Sequence, residues 1–340
     1  MNQPSNRSGT NLRRKSLVGK LAIYAFLVAL LYFALRNAPF IEIWEALSNL
    51  ESWEVGLVLL INALVITCMT ARWWIIVHAE NPTVPFLPMI GYRLSVFALS
   101  YFTPGPQVGG EPLQVIYLQR RHGLTFARAA SAVIMDKLLE FLVNFLLIGI
   151  GAWAIFNSGL ISRSGFNLPL SLIGLAVLMM LPLAQVILLY NGFHPITRML
   201  LRQPFIHESN KIIRTIIVAE RMASVFCRNH VRAMFLAILV SLAAIAGIAL
   251  EYFLMVYFLN IKIDAIQILA AITFMQIAFL MPLPGGLGAL EASQVFVLGA
   301  FGHSASAAIS LTLLMRARDL LNGGLGLVLA GLGFKDTIYK

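Results

Sequence analysis

Residues 104–118 read PGPQVGGEPLQVIYL, and residues 282–291 read PLPGGLGALE. Each stretch interrupts an otherwise apolar segment, 86–118 in the first case and 265–301 in the second. Proline removes a backbone donor and glycine frees the backbone, so helices end at such places. Pro104, Pro106, Gly109 and Gly110 break the first segment; Pro282, Pro284, Gly285, Gly286 and Gly288 break the second. Irregular backbone at membrane depth survives only where protein or a watery cavity covers it. Two re-entrant helical hairpins are therefore predicted, entering from opposite faces. The alternative, two short full spans at each place, leaves the loop charges unchanged and gives about ten crossings.

The rest of the chain sets the membrane around these breaks. Of 340 residues, 59% are apolar and 12% charged. Soluble domains run at roughly 45–50% apolar and about 25% charged. A soluble enzyme, a disordered tail and a disulfide scaffold are excluded. Runs at 18–36, 55–77, 129–156, 168–190, 232–258 and 305–333 read as full crossings. The fold expected is an all-α polytopic membrane protein with six full spans and two hairpins, eight to ten membrane-embedded segments. Residues 1–17 form a basic tail and 18–335 a single transmembrane domain. The apolar run after the tail lacks a small-x-small cleavage site, so it reads as a first span and not a signal peptide.

Net charge is +10, and the basic residues flank apolar spans. The positive-inside rule accounts for them and nucleic acid is not implied. Arg13, Arg14, Arg120, Arg121, Arg198, Arg202 and Lys335 put both termini and two loops in the cytoplasm. Glu42, Glu45, Glu51 and Glu54 put the first loop outside. Within 195–230, apolar residues recur between Lys211, Arg214, Arg221 and Arg228. That segment reads as an amphipathic connector lying on the anionic leaflet or packed on the bundle. Cys68 and Cys227 suggest neither a disulfide nor a metal site.

The two breaks repeat each other. Glu111 and Gln114 follow the first, Glu291 and Gln294 the second, each pair on one helical face. Gly123 and Gly302 each lie fourteen residues before a cation, Lys137 or Arg316, and an anion follows three later, Glu140 or Asp319. Halves of about 18–157 and 168–333 with three crossings each would be inverted, as in transporters whose sites lie where broken helices meet.

A charge at bilayer depth costs at least about 2.5–3.5 kcal/mol. Arg316, eleven residues into its helix, lies about 16 Å deep at 1.5 Å per residue. Lys137/Glu140 and Arg316/Asp319 read either as i,i+3 salt bridges or as cations for an anionic headgroup with carboxylates orienting them. Glu111 and Glu291 either cap broken helix ends or bind an amine, a coupling proton or a cation. Glu251 is a lesser candidate. Arg72 beside Trp73 and Trp74 reads as an interfacial anchor. Hydrolase, zincin and phosphate-loop motifs are absent, so no catalysis, cofactor or metal is expected.

The stretch 104–118, followed by Arg120 to Gly123 and the Asp136-Lys137 helix, resembles the first signature of the lysylphosphatidylglycerol synthase transmembrane-region family. Residues 282–291, then Gly302 and Arg316, resemble its second. The resemblance covers about 15–335. It implies a flippase-like domain of a bacterial or archaeal plasma membrane, with membrane lipids as partners and a homodimer as the assembly. At Gln114 the chain departs from the many relatives with Arg there, which weakens phosphate pairing at that position. The soluble transferase domain of bifunctional members is not among these residues, so lysyl-lipid synthesis is not expected.

The function expected is movement of a polar-headgroup lipid, anionic or phosphate-bearing, between leaflets. Phospholipid, glycolipid and polyprenyl phosphate are the lipid classes considered. Two alternatives stand beside it: a non-catalytic accessory subunit serving a lipid-modifying enzyme, and an ion-coupled small-solute transporter.

Overall fold

The computed structural model describes residues 41, 44, 45, 48, 50–103, 109–157, 180–202, 211–281 and 283–337. The predicted span 18–36, the start of 168–190, and Pro104, Pro106 and Pro282 lie outside them.

The described residues are helical throughout, with no strand among them. α1 (Ser52–Glu80) starts where the Glu54 carboxylate accepts the Glu51 N–H at 2.9 Å, and stops at Asn81-Pro82. α2 (Leu87–Phe102) and α3 (Glu111–His122) flank the first break. α3 ends on Gly123, whose left-handed backbone (φ 67°) closes the last turn. α4 (Phe126–Asn157) follows at once. α5 (Met180–Tyr190), α6 (Pro195–Leu201) and α7 (Lys211–Asn229) lead into α8 (Val231–Phe258).

α9 (Ala265–Leu280) opens with a capping box: Asp264 accepts from Gln267 N–H at 2.8 Å, and Gln267 Oε1 accepts from Asp264 N–H at 3.0 Å. A short 3₁₀ turn at Pro284–Gly286 separates it from α10 (Ala289–Ala300). α11 (Ala305–Thr337) completes the order.

Among the described residues, α1, α4 and α8 are long and apolar enough to cross a membrane. α11 has the length, at 33 residues, but carries Arg316, Arg318, Asp319 and Asn322 in its middle. Outer faces are apolar, as lipid requires: Phe235, Leu239 and Phe253 on α8 and Leu325 and Val328 on α11 are exposed.

Among the described residues two large apolar cores form, beside a small cluster of Val96, Leu113 and Tyr117. Trp73, Ile76, Met89, Met135, Leu139 and Phe226 form one, where α1, α2, α4 and α7 meet. Tyr252, Met255, Ile272, Leu290, Leu298 and Leu311 form the other, where α8 to α11 meet. The packed reading of α7 is the one observed, with Ala223, Phe226 and Cys227 buried and Arg221 and Arg228 turned outward. Glu220 is buried too, and takes the Ile196 and Thr197 N–H groups at the start of α6 at 2.9 and 2.7 Å.

α1 packs along α8. α2 lies on α11, while α9 lies on α4. The α2–α11 seam depends on a missing side chain: a methyl group at Gly326 would run into the Leu94 carbonyl oxygen. Small residues allow this backbone approach between helices in lipid.

Candidate functional site

Two buried charge networks face each other across the bundle. The first joins α1, α2, α3 and α4. Arg72 donates from Nε to Asp136 Oδ1 and from Nη2 to Glu140 Oε2, both at 2.6 Å. Arg93 takes the same two carboxylates from the other side, at 3.1 Å each. Lys137 lies 2.9 Å from Glu140 and 3.0 Å from Glu111. Three cations thus meet three carboxylates. Burial of so many charges is tolerable only because each is paired.

The second network joins α1, α2, α8, α10 and α11. Arg316 grips Glu291 from Nε at 3.0 Å and from Nη2 at 2.9 Å. Its Nη1 donates to Tyr101 OH at 3.0 Å and to the Gly285 carbonyl. Gly285 has φ 54°, and a side chain there would strike the Tyr101 ring. Two residues on, Arg318 sits between Glu251 Oε2 (2.9 Å) and Asp319 Oδ1 (2.8 Å). Asn62 donates to Glu251 Oε2 at 3.5 Å, the long limit of a hydrogen bond. Asn322 donates to Asn62 Oδ1 at 2.8 Å.

A cavity of about 190 Å³ separates the networks. Arg93, Lys137 and Glu140 line it from one side, and Glu251, Arg318 and Asp319 from the other. Asn144 and Gln276 add amides, while Ile66, Phe97 and Phe279 supply apolar wall. Among the described residues no three His, Cys, Asp or Glu side chains converge as a metal site would require.

The residues singled out from sequence divide as follows. Glu111–Lys137 and Glu291–Arg316 are both ion pairs, each tying the helix after a break to the next long helix. Lys137–Glu140 is an i,i+3 bridge. Arg316 and Asp319 do not form the second one, because Arg316 turns to Glu291 and Asp319 to Arg318. Glu291 caps the broken helix end, its Oε2 accepting the Gly288 N–H at 2.8 Å, while it also pairs with Arg316. Gln294 turns away from the cavity, accepting from Tyr252 OH at 2.6 Å and donating to the Ala271 carbonyl. Gln114 is fully buried, and among the described residues neither amide atom has a hydrogen-bond partner. At the first break, Gly110 N–H donates to Ser100 Oγ at 2.9 Å, joining α3 to α2.

Arg72 is not an interfacial anchor. It is 3% exposed and holds two carboxylates, and Trp73 beside it is fully buried. Arg93, Arg318, Asn62 and Asn322 were not foreseen. The signal available was charge imbalance: Asp136, Lys137 and Glu140 leave a surplus acid within one turn, which requires cations from other helices.

Residues 17–326 match the family described as "Lysylphosphatidylglycerol synthase TM region". A UPF0104 membrane protein of Methanothermobacter thermautotrophicus is 29% identical over 140 residues. That alignment covers 41% of this chain and 38% of the relative. No solved structure matches the chain.

Proposed function

The chain belongs to the lysylphosphatidylglycerol synthase TM-region family, and we propose that it moves a polar-headgroup lipid between membrane leaflets. The observation that carries this reading is the cavity between the two charge networks. At about 190 Å³ it is smaller than the roughly 300–1,000 Å³ of a typical small-molecule site. It has room for a headgroup phosphate and not for acyl chains, which stay in lipid. Arg93, Lys137 and Arg318 supply positive charge to the phosphate; Glu140, Glu251 and Asp319 suit an amine.

Movement follows from an inverted-repeat reading, with two re-entrant hairpins, α2–α3 and α9–α10. Three observations support it. Glu111–Lys137 and Glu291–Arg316 are the same pair made twice. α2 lies on α11 as α9 lies on α4. Arg72 and Glu251 are each the 21st residue of their helix, and each binds the long helix that follows its hairpin. Two such halves can rock about a shared cavity, opening it to one leaflet and then the other. Arg316 and Glu291 fix the second hairpin, and Lys137 and Glu111 the first. No bond in the lipid is made or broken.

The test is translocation in proteoliposomes of labelled phosphatidylglycerol, lysyl-phosphatidylglycerol, a glycolipid and a polyprenyl phosphate. Movement of one of them, abolished in Arg316→Ala and Glu291→Ala, is expected. No movement of any, with folded and oriented protein, overturns the reading in favour of an accessory role beside a lipid-modifying enzyme.

A further inference from the structure

The two networks differ in charge balance. The first has three cations and three carboxylates; the second has Arg316 and Arg318 against Glu251, Glu291 and Asp319. Arg316 is committed to Glu291, so one guanidinium, Arg318, serves both Glu251 and Asp319. One carboxylate too many is held out of water. Such a surplus is stable only when a proton, a cation or a ligand neutralises it.

The surplus can be placed. Asp319 receives two donors of Arg318, Nη2 at 2.8 Å and Nε at 2.9 Å. Glu251 receives one, on Oε2. Among the described residues its Oε1 is buried with no hydrogen-bond partner, and Glu251, 1% exposed, lines the cavity. Its surroundings come from every helix at the cavity. Asn62 of α1 already uses its amide oxygen on Asn322. α2 presents Arg93 and Tyr101, α4 Lys137, Glu140 and Asn144, α9 Gln276, and α11 Arg318, Asp319 and Asn322. α7 joins α8 at His230 and contributes no lining residue. Among the described residues no three His, Cys, Asp or Glu side chains converge there as a metal ion would require. A single free carboxylate oxygen is enough for one proton.

We infer that Glu251 is a proton-binding site that couples the cavity to a pH gradient. This rests on the lipid-translocation reading for its role and on the geometry alone for its existence. A proton from water bonds to Oε1 when the cavity opens to one side, forming a neutral carboxyl that leaves Arg318 to Asp319. It leaves from the same oxygen to water on the other side. Arg318 then again spans both carboxylates.

Two readouts separate the parts. Infrared difference spectra of the full chain in lipid, titrated in pH, read the protonated carboxyl directly. Wild type is expected to show a band that disappears in Glu251→Gln and that persists in Asp319→Asn but appears only at lower pH, because Arg318 is then free for Glu251. A band that survives Glu251→Gln, or that Asp319→Asn alone removes, overturns the site. In proteoliposomes with clamped voltage, one pH unit should shift the final leaflet distribution about tenfold if one proton accompanies one lipid. Glu251→Gln should show no such shift. A distribution that follows a sodium gradient, or ignores both gradients in wild type, overturns the coupling while translocation stands. The gradient assay uses whichever of the four labelled lipids wild type moves; absence of movement of all four defeats the translocation reading, and the infrared titration still decides the site.

Discussion

Glu291 is shared between two structures: one carboxylate caps α10 through the Gly288 N–H and at the same time binds the Arg316 fork on α11. The broken helix end is therefore welded to the charged centre of the next helix. Charge at α10 is not free to vary independently of charge at α11.

That coupling is measurable. Arg316→Met and Glu291→Gln should each destabilise the protein, Arg316→Met more, since Tyr101 OH and the Gly285 carbonyl also lose a donor. The double variant should fall short of the sum by about 0.5–3 kcal/mol. Denaturant unfolding in detergent of the four proteins checks this.

Asp136 is the more severe loss. It is fully buried and binds Arg72 and Arg93 together, whereas Glu291 is 34% exposed. Asp136→Asn leaves two guanidiniums around the remaining Glu140 charge. It should cost about 3–5 kcal/mol, the range for breaking a buried pair, and exceed Glu291→Gln in the same unfolding assay.

The α2–α11 seam gives a steric prediction. Gly326→Leu places a side chain against the Leu94 backbone and should prise the helices apart. The expected result is lost translocation of every lipid that wild type moves, together with a lower unfolding midpoint. Gly324→Leu, where nothing stands within 4 Å, should preserve both.

Sidedness can be read chemically. In a Cys68→Ala, Cys227→Ala background, Thr125→Cys should react with an impermeant thiol reagent from the cytoplasmic side. His303→Cys should react from the outside. Labelling of both from one side would refute the inverted orientation proposed for the two broken segments.

Much of this was legible because membranes penalise charge and broken backbone so heavily. The two Pro/Gly interruptions, the glutamates after them, and Lys137 and Arg316 stand out against an apolar sequence for that reason. Arg72 was misread because Trp and Arg do gather at interfaces, and adjacent Trp73-Trp74 imitates that pattern. Helix position alone does not say that Trp73 faces a core. Arg318 and Arg93 were hidden for a different cause. Their partners are Glu251 and Asp136, on other helices, and no periodicity within one helix records a contact between two. Gln294 follows Glu291 by one turn, yet its amide is taken up by Tyr252 and the Ala271 carbonyl, a contact between helices that spacing within one helix does not record.

Because α1, α2 and α8 all bind α11, several of their polar contacts are completed only when the last helix is in place. α2 is made early, but its main neighbour is α11, and Glu251 of α8 waits for Arg318 on that same helix. Until α11 has been inserted, Tyr101 lacks Arg316, Asn62 lacks Asn322 and Glu251 lacks Arg318. A chain arrested before that point carries in α8 an acid that still lacks its guanidinium.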